Sequence, residues 1–260
     1  MKETNVGSFA TAKLQTISRR LIVITLAAVI GFSFVTCDNG GGGDGGGVSG
    51  PTFLGDNPTL SGQVYVAKYN ATKVSYEAYK GDNLTVSARY DGNVKGTIKN
   101  GQFSITLETP TNIGNLEFNF GETIEATVSP SNIKGGGLDL YIGDSFYSSI
   151  GSLYRKNITG ISSNATSEEV QYVYVDKDCT ISSNGGTDIS TSDPDKDVDD
   201  YTYTYILKPF SLELKAGWNT LYIKAQGAYS GKKRNSTVTY SLSNPGNVKW
   251  VLYIWDDDDH

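Results

Sequence analysis

From Thr59 onward, apolar and polar residues alternate in short runs of strand length. TLSGQVYVAKY, VSYEAYKG, NLTVSARY, VKGTIKN and GQFSITLET follow one another at roughly ten-residue spacing, the pattern of an all-β sandwich or barrel. Asp91-Gly92 and Asn100-Gly101 mark hairpins, because both central residues of a type I′ turn need positive φ. In the second of these, Ile98, Phe103, Ile105 and Leu107 fall on one face and predict a shared buried surface. The next segment, TPTNIGNLEFNFGETIEATVSPSNIKGGGLDLYIGD, is irregular and carries the last strands of a first unit near IEATVS and LDLYI.

After residue 150 the alternation resumes. EEVQYVYVDKDCTISS predicts a strand pair, with Val170, Tyr172 and Tyr174 on one face of its first strand and Val173 and Val175 on the other. SLELKAGWNTLYIKA predicts a second pair, with Leu212 and Leu214 before the turn Lys215-Ala216-Gly217 and Leu221 and Ile223 after it. Beyond the first 36 residues no stretch sustains a 3.6-residue apolar period, so helix is expected to be minor. The expected fold is all-β: one or two antiparallel β-sandwich domains of Ig-like or transthyretin-like type, following an N-terminal signal helix and a Gly-rich linker. The expected segments are 1–36 signal, 37–57 anchor and tether, 58–150 and 151–255 sandwich domains, and 256–260 an acidic tail.

The N-terminal pattern is of another kind. Arg19 and Arg20 precede LIVITLAAVIGFSFVT, sixteen uncharged residues ending at Thr36, directly before Cys37. As a helix this run spans about 24 Å, short of the roughly 30 Å hydrocarbon core, and a basic region followed by an apolar one is the layout of an export signal. From Asn39 to Gly50 eight of twelve residues are Gly, a composition that buries no apolar area. Such a coil of about 13 residues reaches on the order of 20 Å. Two outcomes are open for the apolar run, cleavage with a covalent anchor on Cys37 or an uncleaved membrane anchor.

Residues 19 to 38 resemble the signal peptides of bacterial lipoproteins of the spirochaete type. In that family a diacylglycerol is linked to the Cys and the cut leaves it as the new N-terminus. Phe34 and Thr36 stand where that family usually has Leu and a small residue. The resemblance implies lipidation at Cys37 by diacylglycerol and an acyl chain, and export to the cell envelope, at its periplasmic face or at the cell surface. Two or three acyl chains hold a protein at a bilayer almost permanently, at about 0.8 kcal/mol per buried CH₂. The Leu-x-Leu-x-x-Gly-x-Asn-x-Leu order of residues 212–221 resembles the closing hairpin of extracellular β-sandwich modules, in which Gly supplies positive φ and the Asn side chain ties the turn. The second half also looks like uncharacterised spirochaete lipoproteins, for which no activity follows.

Composition narrows the function classes. The chain has 17 Tyr, 9 Phe and one Met, a balance that favours strands. Its net charge is −6, and without residues 1–36 it has 18 basic against 27 acidic residues, a balance of −9. A surface this acidic repels phosphate backbones, so nucleic acid is not an expected partner. With Cys37 as anchor, Cys179 stands alone, no disulfide framework exists, and Cys179 is expected in a strand or hairpin.

Candidate chemistry is sparse. The single His is His260, the last residue, which excludes His-dependent triads and metal cages. With no nucleophile elbow or phosphate loop either, the chain is expected not to be an enzyme. Asp193, Asp195, Asp197 and Asp199 alternate as oxygen ligands of a Ca²⁺ loop do, but the sixth-position Gly is missing and Thr204 stands at the twelfth. A solvated, self-repelling loop is the simpler reading, and no cofactor is expected. Tyr201, Tyr203 and Tyr205 share one side of a strand at about 6.8 Å intervals and, with Trp218 at a turn, offer a platform for sugar rings if exposed. The expected function is therefore a lipid-anchored, non-enzymatic adhesion, spacer or surface-interaction module. Its partners would be the membrane and envelope proteins or glycans, and the alternative is a glycan-binding module using the four rings.

Overall fold

The computed structural model describes residues 53–255, except 71–72, 90–93, 112, 119, 121–123, 145–147, 161–163 and 192–201. Among these residues the chain is all-β, with eighteen strands and no helix. Seven strands close a ring: β10 (Gly151–Thr159), β18 (Lys249–Ile254), β2 (Thr59–Tyr69), β6 (Gln102–Thr106), β5 (Lys95–Lys99), β4 (Leu84–Ala88) and β9 (Leu140–Ile142), with β9 returning to β10. A seven-strand barrel has room only for its own side chains. Leu60, Ile98, Phe103, Ile142, Trp250 and Leu252, all buried, belong to its core. Trp250 sets the local shape: a Cβ on Gly62 would stand 2.6 Å from its Cδ1, and its indole N–H donates to the Ser61 carbonyl at 3.0 Å.

The β5–β6 hairpin forms as its sequence predicts. Asn100 and Gly101 have φ of 51° and 74°, Ile98 pairs with Phe103, and Ile98, Phe103, Ile105 and Leu107 are all buried. Asp91-Gly92 lies outside the described residues.

At β10 the sheet divides. One edge of this strand is covered by β18, while the other pairs with β9 through Gly151 and Ser152, and with β11 (Thr166–Val175) through Arg155 to Thr159. Beyond β11 the sheet continues as an open wing through β16 (Gly217–Ser230), β17 (Lys233–Ser241), β14 (Thr202–Leu207) and β13 (Gly186–Thr191). Short strands extend it: β1 (Phe53–Gly55) on β16, β3 (Val74–Ala78) on β2, and β8 (Gly135–Gly137) on β11. A separate three-stranded sheet of β15 (Phe210–Leu214), β12 (Cys179–Ser183) and β7 (Thr127–Ser129) packs on the wing. Phe210 meets Tyr240 at 5.2 Å between ring centroids, and Phe120 touches both.

Both faces of β11 are covered. Val170 to Val175 are buried without a break, Tyr172 stacks on Trp250 at 6.3 Å, and Tyr174 meets Trp218 edge-on at 5.6 Å. That two-sided burial is why the segment reads as a nearly continuous apolar run.

Three expectations are corrected here. The expected sandwich domains are not what the first half forms: it contributes most of a closed barrel, which a period-two pattern does not distinguish from a sandwich. The boundary at residue 150 also separates no independent sheets, since β10 and β18 complete the barrel while β1, β7 and β8 join strands of the second half. The two predicted strand pairs, β11 with β12 and β15 with β16, are not hairpins either. In each the chain passes from one sheet to the other, so β11 pairs with β16 and β12 with β15. Asp178 ties the two crossings together, accepting from the Ala216 N–H at 2.9 Å and the Lys215 ammonium at 2.8 Å, which hold its carboxyl below the usual carboxylate range.

Candidate functional site

On the outer face of β10 and β18 the sequence places Tyr154, Lys156 and Tyr253, with period two along each strand. Lys156 is only 9% exposed. Its ammonium lies 4.5 Å from the Tyr154 ring centroid and 4.1 Å from that of Tyr253, and the two rings meet edge-on at 5.6 Å. A desolvated cation between two aromatic faces is held by the ring quadrupoles, each contact contributing up to about 2 kcal/mol.

The β2–β3 hairpin reaches over the same face. Tyr69 and Tyr253 hydroxyls are 3.0 Å apart, and the Tyr76 hydroxyl accepts the Ile158 N–H. Directly across the ladder from Lys156 is Glu169, whose carboxylate accepts from the Gln171 amide at 3.4 Å. Burial pushes the Glu169 carboxyl above its ordinary range, with the nearby Lys156 charge opposing that rise. Close by, Asp139 takes hydrogen bonds from Arg89 at 3.4 Å and Tyr141 at 3.3 Å. Burial raises the Asp139 carboxyl too, against the pull of Arg89, and the Tyr141 hydroxyl is pushed up to about 12 by burial and by Asp139. The hydroxyls of Tyr69, Tyr154 and Tyr253 are likewise raised by burial, so at neutral pH they stay protonated and serve as hydrogen-bonding groups.

The cluster thus joins a caged cation, two carboxyls biased toward the protonated form and a fringe of neutral tyrosines. Its contacts run between barrel, hairpin and wing, and they pin the hairpin onto the strands where the sheet divides. Sequence reasoning missed it entirely. Nothing short-range marks LYRKNI as a site, and the Tyr69–Tyr253 contact joins residues 184 apart.

The residues singled out from sequence fare differently. Trp218, expected at an exposed turn, has no exposed surface; it packs on Tyr174 and donates its indole N–H to the Glu108 carbonyl at 3.2 Å. Tyr205 is 6% exposed and Tyr203 is half-buried on β14, while Tyr201 lies outside the described residues. Two of the four rings are therefore turned into the interior and do not form a surface for sugars. The physical reason is the packing at this part of the sheet, where the wing is covered on the face that Tyr205 occupies. Cys37, Asp193, Asp195, Asp197, Asp199 and the tail 256–260 also lie outside the described residues. Among the described residues no group of three or more His, Cys, Asp or Glu could hold a metal, and no helix is long and apolar enough to cross a membrane. Cys179 opens β12, buried, its thiol pushed up to about 11 by burial and by Asp178 and Asp176.

The crossing at Lys215-Ala216-Gly217 keeps the side-chain tie expected for it. Gly217 has φ of 110°, and buried Asn219 donates to the carbonyls of Lys215 and Gly217 at 2.6 and 2.8 Å while accepting the Lys215 N–H at 2.9 Å. Comparison with protein-family models, with curated proteins and with solved structures finds no match for this chain.

Proposed function

We propose that the chain is a lipid-anchored protein of the bacterial cell envelope, exported and held by acyl chains on Cys37. Its β-fold acts as a non-enzymatic adhesion, spacer or surface-interaction module, at the periplasmic face or the cell surface. The observation that carries this reading is the order of segments: Arg19-Arg20, sixteen uncharged residues, Cys37, a glycine run, and then Phe53, where the described fold begins.

The fold supports it mechanically. β1 is hydrogen-bonded to β16 directly after the tether, and β18, the last described strand, is inserted between β10 and β2. A body tied at both ends of its chain resists unravelling from a tether. The tyrosine–lysine cluster supports it as well, since its contacts are spent on joining elements of the fold. The second half, with a wing and a facing three-stranded sheet, supports a sandwich-like reading of that part alone. The acidic balance favours envelope proteins or glycans over nucleic acid as partners.

The test is detergent-phase partitioning of protein expressed in a bacterium with a lipoprotein-processing pathway. Wild type is expected in the detergent phase, labelled by a tagged palmitate and shortened by residues 1–36, whereas Cys37→Ser is expected to take up no label and to keep those residues. A wild-type chain in the detergent phase that carries no label and keeps residues 1–36 would show that an uncleaved apolar segment holds the protein, and the lipid reading would be wrong.

A further inference from the structure

The exposed large apolar side chains are distributed unevenly. β10 and β16 both run antiparallel to β11, so the first residues of β10 and β16 share one end of the molecule with the last of β11. β18 finishes at that end opposite Gly151, and β1 lies on the first residues of β16. Phe53 (42% exposed), Ile150 (51%) and Ile254 (50%) are all at this end. Ile150 and Ile254 are on adjoining strand ends, and half-buried Trp255 donates its N–H to the Ile150 carbonyl at 2.9 Å.

This is also the end where the tether enters. Fifteen residues lie between Cys37 and Phe53, and a random coil of that length and glycine-rich composition would reach about 19–23 Å. β16 alone, with 14 residues, runs about 45 Å toward the opposite end. A coil of that length sets the Phe53 end, and not the far end, against whatever surface Cys37 is anchored in.

We propose that this end seats on the lipid surface, with Ile150, Ile254 and Trp255 at the barrel rim and Phe53 at the wing reaching the headgroup boundary. The proposal rests on the lipid-anchored reading. The aspartates Asp256 to Asp259 follow Trp255 directly, so the surface it fits is a neutral, zwitterionic one, and contact is apolar and not electrostatic. Alone such a patch binds weakly; the tether supplies the local concentration that makes the contact persistent.

The experiment uses the full lipidated chain in phosphatidylcholine vesicles whose acyl chains carry bromine, with tryptophan emission as readout. Trp218 and Trp250 are buried, so quenching is expected from Trp255, is expected to vanish in Trp255→Phe, and is expected to weaken when phosphatidylglycerol replaces part of the phosphatidylcholine. Ile150→Ser with Ile254→Ser is expected to lower the quenched fraction about tenfold, from the apolar area no longer buried, with an unchanged melting temperature because both sites are exposed. Lipid on Cys37 without quenching of Trp255 overturns the seating and leaves the anchor standing. A Cys37 without lipid overturns both. Concentration-dependent dimerisation abolished by the two serines gives the patch to a second copy of the chain and overturns the proposal.

Discussion

Replacing Trp250 by alanine tests whether barrel and wing form one cooperative body. The indole is 4% exposed, meets Phe103 edge-on at 4.7 Å, stacks on Tyr172 of the wing, lies 5.8 Å from the Arg155 guanidinium and donates to Ser61. Large aromatic to alanine changes in cores cost about 3–5 kcal/mol, and the lost hydrogen bond, about 1 kcal/mol, places this one at the upper end of that range. Against a typical total of about 5–15 kcal/mol this is a large fraction. With a urea dependence near 2–3 kcal/mol per molar, the midpoint should fall by about 2 M. The assay is urea unfolding in a Trp255→Phe background, followed by circular dichroism for the whole sheet and by the emission of Trp218, which sits in the wing. Both probes are expected to move together by the same amount. A Trp218 transition that stays in place while the dichroism transition shifts would refute the reasoning, because the wing would then unfold independently of the barrel.

Other consequences follow from single contacts. Asn219→Ala removes three hydrogen bonds at a buried crossing and is expected to cost about 2–3 kcal/mol, read as a lower urea midpoint. Glu169 has a folded-state pKa above its unfolded value near 4.5, so the stability it contributes is full below that value and is lost as pH rises through the folded one. Glu169→Gln is therefore expected to flatten the fall in stability between acid and neutral pH and to be more stable than wild type at pH 7. A less stable variant at pH 7 would mean that attraction to Lys156 outweighs the cost of burial. Cys179, with its thiol near 11, is expected to react with a thiol-specific disulfide reagent at pH 8 about a hundredfold more slowly folded than unfolded.

Local rules were legible in the sequence wherever a residue's conformation decides the structure alone. Asn100-Gly101 could form one kind of turn, and the buried face of Ile98, Phe103, Ile105 and Leu107 followed from alternation. The tie by Asn219 was legible too, being carried by residues four apart or fewer. Which strand pairs with which was not. Leu212 and Leu214 before Gly217, and Leu221 and Ile223 after it, are buried as their pattern requires, and the same pattern serves a hairpin or a crossing between two sheets. Barrel closure depends on β18 finding β2, a contact between chain segments whose indole bond spans 189 residues. Trp218 was misplaced for a related reason: a turn in sequence is exposed only if nothing packs over it, and Phe53, Tyr174 and the Glu108 carbonyl lie around this one. The Lys156 cluster was out of reach because its rings come from β2, β3, β10 and β18.

The most direct test of the account is the mass of the mature N-terminal peptide, from protein purified out of membranes of a bacterium with a lipoprotein-processing pathway. The account predicts a chain that starts at Cys37 and carries diacylglycerol together with an acyl chain. An intact Met1, or a Cys37 with no added mass, would contradict it.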